Sequence, residues 1–124
     1  MGAVSELFDT NILIDHLNGV IKATREITRS KSPAISVITW VEVMTGAASS
    51  GEEAILRAFL SNFQCLEMTR EVADRAAVIR RQKRLKMPDA IILATAEAAG
   101  RVLVTRNVKD FPVGMGAVRV PYKI

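Results

Sequence analysis

Short apolar runs alternate along the chain with longer stretches whose apolar residues recur at helical spacing. Val4 to Phe8 predicts a strand, and 11–17 a helix closed by Asn18-Gly19, a pair suited to a helix C-terminus. A second helix is predicted from Val20 to Arg29, and Ala34-Ile35-Ser36 after the Pro33 loop reads as a buried strand. Ser36 can cap the next helix, Val37 to Thr45, whose expected buried face is Val37, Trp40, Val41 and Met44. The small, polar segment Ala47 to Gly51 predicts a loop, followed by a helix from Glu52 to Leu60 and a strand from Phe63 to Glu67. Thr69 caps a long helix to about Leu85, with Val72, Ala76 and Ile79 on its apolar side; the same period turns Arg80 and Lys83 toward the body of the protein. Pro88 opens an alanine-rich helix to Ala99 that should pack closely on a neighbour. Val102-Leu103-Val104 and Ala117 to Val120 are the last predicted strands, separated by a loop from Thr105 to Gly116.

Strands alternating with helices predict one α/β domain spanning 1–124, with a mainly parallel sheet and a functional site at the carboxyl ends of its strands. Composition agrees: 49% hydrophobic and 24% charged residues suit a single folded domain and exclude disordered or collagen-like chains. A lone cysteine, Cys65, cannot form an intrachain disulfide, and neither a signal-peptide core nor a membrane span is evident, so the expected setting is the cytoplasm, with no membrane partner. The net charge of +4 is compatible with a polyanionic partner.

Four acids stand where this fold would gather side chains. Asp9 directly follows the first strand; Glu42 flanks the apolar face of its helix; Asp89 lies in the first turn of the alanine-rich helix; Asp110 sits in a loop, with Thr105 and Asn107 placed to orient it. Each alone reads equally well as a helix cap or a solvated acid. Together they would repel, and a divalent cation offsets that cost; oxygen-only ligands without a Cys or His cluster select Mg²⁺ or Mn²⁺. An acidic metal pocket in a basic protein suits phosphodiester hydrolysis, with surface cations holding the nucleic-acid backbone. His16, the sole histidine, is expected to line a helix or the surface. The chain lacks a serine nucleophile elbow, a Gly-rich phosphate loop and a CxxC pair, which removes serine hydrolases, P-loop nucleotide hydrolases and zinc ribbons.

The ordered series Phe8-Asp9-Thr10-Asn11, Val41-Glu42-Val43-Met44-Thr45-Gly46, Met87-Pro88-Asp89-Ala90-Ile91-Ile92-Leu93-Ala94-Thr95-Ala96 and Val104-Thr105-Arg106-Asn107 with Asp110-Phe111 resembles the PIN-domain family, and within it the small VapC-like toxins. The resemblance covers nearly the whole chain. It departs at Met87, where the family often has leucine, and at Ile92-Leu93, both apolar changes that leave the acids intact. It implies a three-layer α/β/α sandwich and a metal-dependent endoribonuclease that leaves a 5′-phosphate and a 3′-hydroxyl. Asp9, Glu42 and Asp89 match the family's best-defined acids and Asp110 its more variable fourth, with Asn107 competing for that place. Thr10 would orient Asp9, and Asn11, Thr105 and Asn107 would complete the supporting polar set. Arg80, Lys83 and Arg106 are the candidates for contact with substrate phosphate. The implied partners are RNA, a cognate antitoxin protein and a second copy of the chain. The alternative is a non-catalytic PIN-like module that binds RNA or a basic peptide; a receiver-like domain with Asp9 as phosphate acceptor would leave the other motifs without a reason.

Overall fold

The computed structural model of this 124-residue chain describes residues 5–111 and 117–123. The predicted start of the first strand at Val4, and the end of the predicted loop toward Gly116, lie outside them. Among the described residues eleven elements follow in order: β1 (Glu6–Phe8), α1 (Thr10–Leu17), α2 (Ile21–Arg29), β2 (Ala34–Ser36), α3 (Val37–Thr45), α4 (Ser50–Leu60), β3 (Gln64–Leu66), α5 (Arg70–Lys83), α6 (Met87–Ala98), β4 (Val102–Val104) and β5 (Val118–Arg119).

All pairings among the described strands are parallel, in the order β3-β2-β1-β4-β5. Side chains alternate across the strands, and this splits the core into two layers. Leu7 and Leu103 point to one face, against Val72, Ala76 and Ile79 of α5 and the buried residues of α6. Phe8, Ile35 and Val104 point to the other, against Ile12 and Leu13 of α1, Ala23 of α2, Val43 of α3 and Leu60 of α4. Helices on both faces of a parallel sheet make the expected α/β/α sandwich. Helix α6 is buried continuously from Ala90 to Ala96, which explains its small residues: it runs between the sheet and α5.

Chain direction decides where a site can form. From β1 the chain moves outward to β2 and β3, and then crosses back through α5 and α6 to β4 on the other side of β1. The order therefore reverses between β1 and β4, and the carboxyl ends of those two strands border the crevice where ligands bind in such sheets.

Local chemistry accounts for most element ends. The hydroxyls of Ser36 and Thr69 accept the amides of Ile38 and Val72, as expected of caps. Gly19 adopts φ +83°, the left-handed geometry that closes α1. Helix α4 begins at Ser50, two residues before the expected Glu52, because Ser49 accepts the Glu52 amide at 3.1 Å. The buried side of α3 also differs from the expected one: Thr39 and Val43 face inward, Trp40 and Met44 are half-buried, and Val41 is exposed. The helix starts directly from β2 without a linker, and this entry turns Thr39, whose hydroxyl finds a partner on Thr10, toward α1. Arg80 and Lys83 are corrected likewise. The buried stripe of α5 ends at Ile79 and both cations are exposed, as the cost of desolvating an unpaired charge requires.

Candidate active site

Asp9 stands one residue beyond β1, in extended backbone, and caps α1. Its own amide donates to the Val104 carbonyl of β4 at 2.9 Å, so the residue is fastened at the point where strand order reverses. It is only 4% exposed. Its Oδ1 accepts the Thr10 amide at 2.8 Å; its Oδ2 accepts the Thr105 hydroxyl at 2.7 Å and the Asn11 side-chain amide at 3.2 Å. Burial nevertheless pushes its pKa up to about 6; the Thr105 and Thr10 hydrogen bonds pull it down, and the charges of Asp89 and Glu42 add to the rise.

The other three acids come from separate elements. Glu42 projects from α3, exposed, and accepts the Thr10 hydroxyl at 2.6 Å. Asp89 lies in the first turn of α6, half-buried; burial raises its pKa, then the charges of Asp110 and Glu42, with Lys86 opposing. Asp110 follows β4, and its Oδ2 accepts the Asn107 side-chain amide at 2.8 Å while its backbone amide donates to Asn107 Oδ1 at 3.2 Å. The charge coupling links Asp9, Glu42, Asp89 and Asp110 in one neighbourhood. Among the described residues, no three His, Cys, Asp or Glu side chains already form a closed metal-holding group. The donors are all carboxylate oxygens, which fits a hard divalent cation, and a cation would relieve the repulsion that raises Asp9 and Asp89.

Two supporting roles are exchanged relative to expectation. The Thr10 hydroxyl orients Glu42 and meets Thr39 at 2.9 Å, and only its backbone amide holds Asp9. The Thr105 hydroxyl orients Asp9 rather than Asp110. Sequence position could not separate these, because Thr10 lies beside Asp9 in the chain, whereas Thr105 reaches Asp9 only through the pairing of β1 with β4. Asn11 and Asn107 are in place: Asn11 bonds Asp9 and Thr105, and Asn107 holds Asp110.

The three cations separate. Arg106, expected at substrate phosphate, makes a two-pronged ion pair with the buried Asp15, Nε to Oδ2 at 2.6 Å and Nη2 to Oδ1 at 3.0 Å, which ties the guanidinium to α1. Arg80 and Arg81 border an apolar hollow of about 420 Å³ between α5 and the start of α6, lined by Met68, Met87, Ala90 and Ile91. Lys83 lies along a different hollow, shared with Glu71, Asp74 and Glu97. His16 hydrogen-bonds Thr24 and stacks on Phe59, the helix-lining role expected of it.

Asp15 is the residue that sequence reasoning missed. It is 5% exposed and accepts from Arg106 and from the Tyr122 hydroxyl. The available signal was its place four residues after Asn11, on the same face of α1.

Comparisons with known proteins bear on the fold and the family. The family profile described as PIN domain matches residues 7–112. Ribonuclease VapC10 of Mycobacterium tuberculosis is 30% identical over 115 residues, covering 86% of each chain. A toxin–antitoxin complex from Klebsiella pneumoniae contains a chain 45% identical, with a TM-score of 0.91, covering 97% of this chain and 100% of that one. FitAcB from Neisseria gonorrhoeae, at 22% identity and a TM-score of 0.79 over 96% of this chain and 99% of that one, shares the fold.

Proposed function

The chain belongs to the PIN-domain family, and from that premise we propose that it is the endoribonuclease toxin of a toxin–antitoxin pair, hydrolysing RNA phosphodiesters at Asp9, Glu42, Asp89 and Asp110. The observation that carries this reading is the approach of four acids from four elements at the crevice between β1 and β4. Relatives named as ribonucleases and a 45%-identical chain from a toxin–antitoxin complex support the substrate class and a protein antitoxin as partner.

Asp9, Glu42 and Asp89 would hold the cation, Mg²⁺ with Mn²⁺ as substitute, and Asp110 would complete the site or position water. When bound, such a cation would supply Lewis-acid activation of water and stabilisation of the charge developing on the phosphate and the leaving oxygen. The chain's own residues do the rest. Thr105, Asn11 and the Thr10 amide hold Asp9 in one rotamer; Thr10 and Asn107 hold the two flanking carboxylates so that little reorganisation remains when the ion and RNA arrive. Arg80 borders the hollow at the first turn of α6 and would be the cation that meets RNA phosphate; Lys83 lies along a different hollow with Glu71, Asp74 and Glu97, and its contact would be secondary. The enzyme would act as a homodimer in the cytoplasm. No described helix is long and apolar enough to cross a membrane.

The test is cleavage of a panel of structured RNAs by protein freed of antitoxin, with Mg²⁺, with Mn²⁺ and with chelator, beside Asp9→Asn and Asp89→Asn. Metal-dependent cleavage that disappears in both variants supports the reading. Folded protein that binds RNA but cleaves under no metal would transfer the acids to a non-catalytic binding role.

A further inference from the structure

We infer that the Asp15–Arg106 ion pair is a positioning device for the acid cluster, setting the loop after β4 that supplies Thr105 and Asp110; the inference rests on the nuclease reading of that site. The loop receives its support from α1. Asn11 and Asp15 stand one helical turn apart on the same face of that helix, and both reach the loop. Asn11 Oδ1 accepts the Arg106 backbone amide at 3.3 Å, while its side-chain amide donates to Asp9 Oδ2 and to Thr105 Oγ1. Asp15 takes the Arg106 guanidinium through both carboxylate oxygens. Residue 106 is thus held at its backbone and at its side chain by successive turns of one helix.

Its neighbours carry the chemistry. Thr105 on one side donates to Asp9. Asn107 on the other donates its backbone amide to the Thr105 hydroxyl at 3.0 Å and its side-chain amide to Asp110. A rotation of the loop by even a rotamer would withdraw the Thr105 hydroxyl from Asp9 and carry Asp110 away from Asp89. The planar, two-pronged geometry of Arg on a carboxylate resists such rotation in a way a single-point contact does not. Asp15 is buried, and among the described residues its side-chain partners are Arg106 and Tyr122, so the carboxylate must keep this pair. The arrangement also explains why an arginine within a loop beside the site contributes no free guanidinium to it.

Three variants separate positioning from substrate contact and from plain stability. Arg106→Lys keeps the charge and loses the fork; Asp15→Asn keeps the shape and loses the charge; Tyr122→Phe removes a hydroxyl partner of Asp15 and leaves both prongs of the Asp15–Arg106 fork in place. For folded Arg106→Lys and Asp15→Asn we expect kcat to fall about tenfold or more, with KM for RNA within twofold of wild type, Mn²⁺ affinity measured by calorimetry on the RNA-free protein to weaken, and the side-chain amide resonances of Asn11 and Asn107 to shift in metal-free protein. Arg106→Ala should be worse than Arg106→Lys, and Tyr122→Phe should lower Tm with kcat within twofold. A rise in KM on Arg106→Ala with Asp15→Asn unaffected would make Arg106 a substrate contact and overturn the inference; so would unchanged kcat, Mn²⁺ affinity and amide resonances in both variants. Should Asp15→Asn fail to fold, Arg106→Lys decides. Should wild type neither cleave RNA nor bind Mn²⁺, the nuclease reading fails, and the Asn11 and Asn107 resonances alone decide whether the pair sets the loop.

Discussion

Replacing Asp9 by Asn should make the metal-free protein gain stability relative to wild type as pH rises, although the same change removes a metal ligand. Asp9 has an ordinary pKa of 3.8 and is raised to about 6 in the folded protein, chiefly by burial. The native state therefore binds more protons than the unfolded chain between those values, and stability falls as pH climbs through that window. The cost to wild type is about 1 kcal/mol at pH 4.5 and reaches about 3 kcal/mol at pH 7.5, where the native carboxyl is ionised inside the protein. Asn carries no charge at either pH. It retains an acceptor for the Thr10 amide but replaces the oxygen that takes the Thr105 hydroxyl and the Asn11 amide, a loss of about 1–2 kcal/mol that does not depend on pH. The difference between the two proteins should thus move by about 2 kcal/mol in favour of Asn between pH 4.5 and 7.5. Urea unfolding of both proteins in chelator at the two pH values measures it, and the pairwise difference cancels the carboxylates that do not couple to Asp9. A difference that stays flat, or moves toward Asp, would refute the claim that a buried, destabilised carboxylate sits beyond β1.

Added Mn²⁺ should raise Tm by several degrees more at pH 7.5 than at pH 5, because below about 6 the ion must first displace the Asp9 proton; equal shifts in a thermal melt would contradict this. Thr10→Val should leave the fold intact but weaken Mn²⁺ affinity about 10- to 100-fold by releasing Glu42, with a stability loss of about 1–2 kcal/mol from the orphaned Thr39 hydroxyl; calorimetry and chemical unfolding read the two effects separately. Arg84 ends α5 at φ 55°, where a side chain costs about 1 kcal/mol, so Arg84→Gly should raise unfolding stability by roughly that amount with RNA cleavage unchanged.

The layers of this fold were legible because its elements are short and separately punctuated. Apolar triplets such as Val102-Leu103-Val104 and caps such as Ser36 and Thr69 act locally, and local signals survive without knowledge of the partner element. What stayed hidden depends on strand order. The hydroxyl that holds Asp9 comes from Thr105, remote in sequence and adjacent only because β4 pairs with β1, whereas Thr10, its chain neighbour, serves Glu42 instead. The burial of α3 shows the same limit: helical period predicts that a face exists, but the angle at which the chain leaves β2 decides that it is the Thr39 and Val43 face.

The cations make the stronger case. Helical period singles out Arg80 and Lys83 as contacts for phosphate, and the motif after the fourth strand adds Arg106, yet a cation is free for a ligand only when no buried anion claims it. Arg106 is claimed by Asp15, an acid that reads as ordinary polar surface until α1 is docked beside the loop after β4. In a fold whose acids gather at a switch point, a cation in an adjoining loop therefore belongs as readily to the scaffold as to the substrate. Its kinetic signature, kcat or KM, distinguishes the two where proximity cannot.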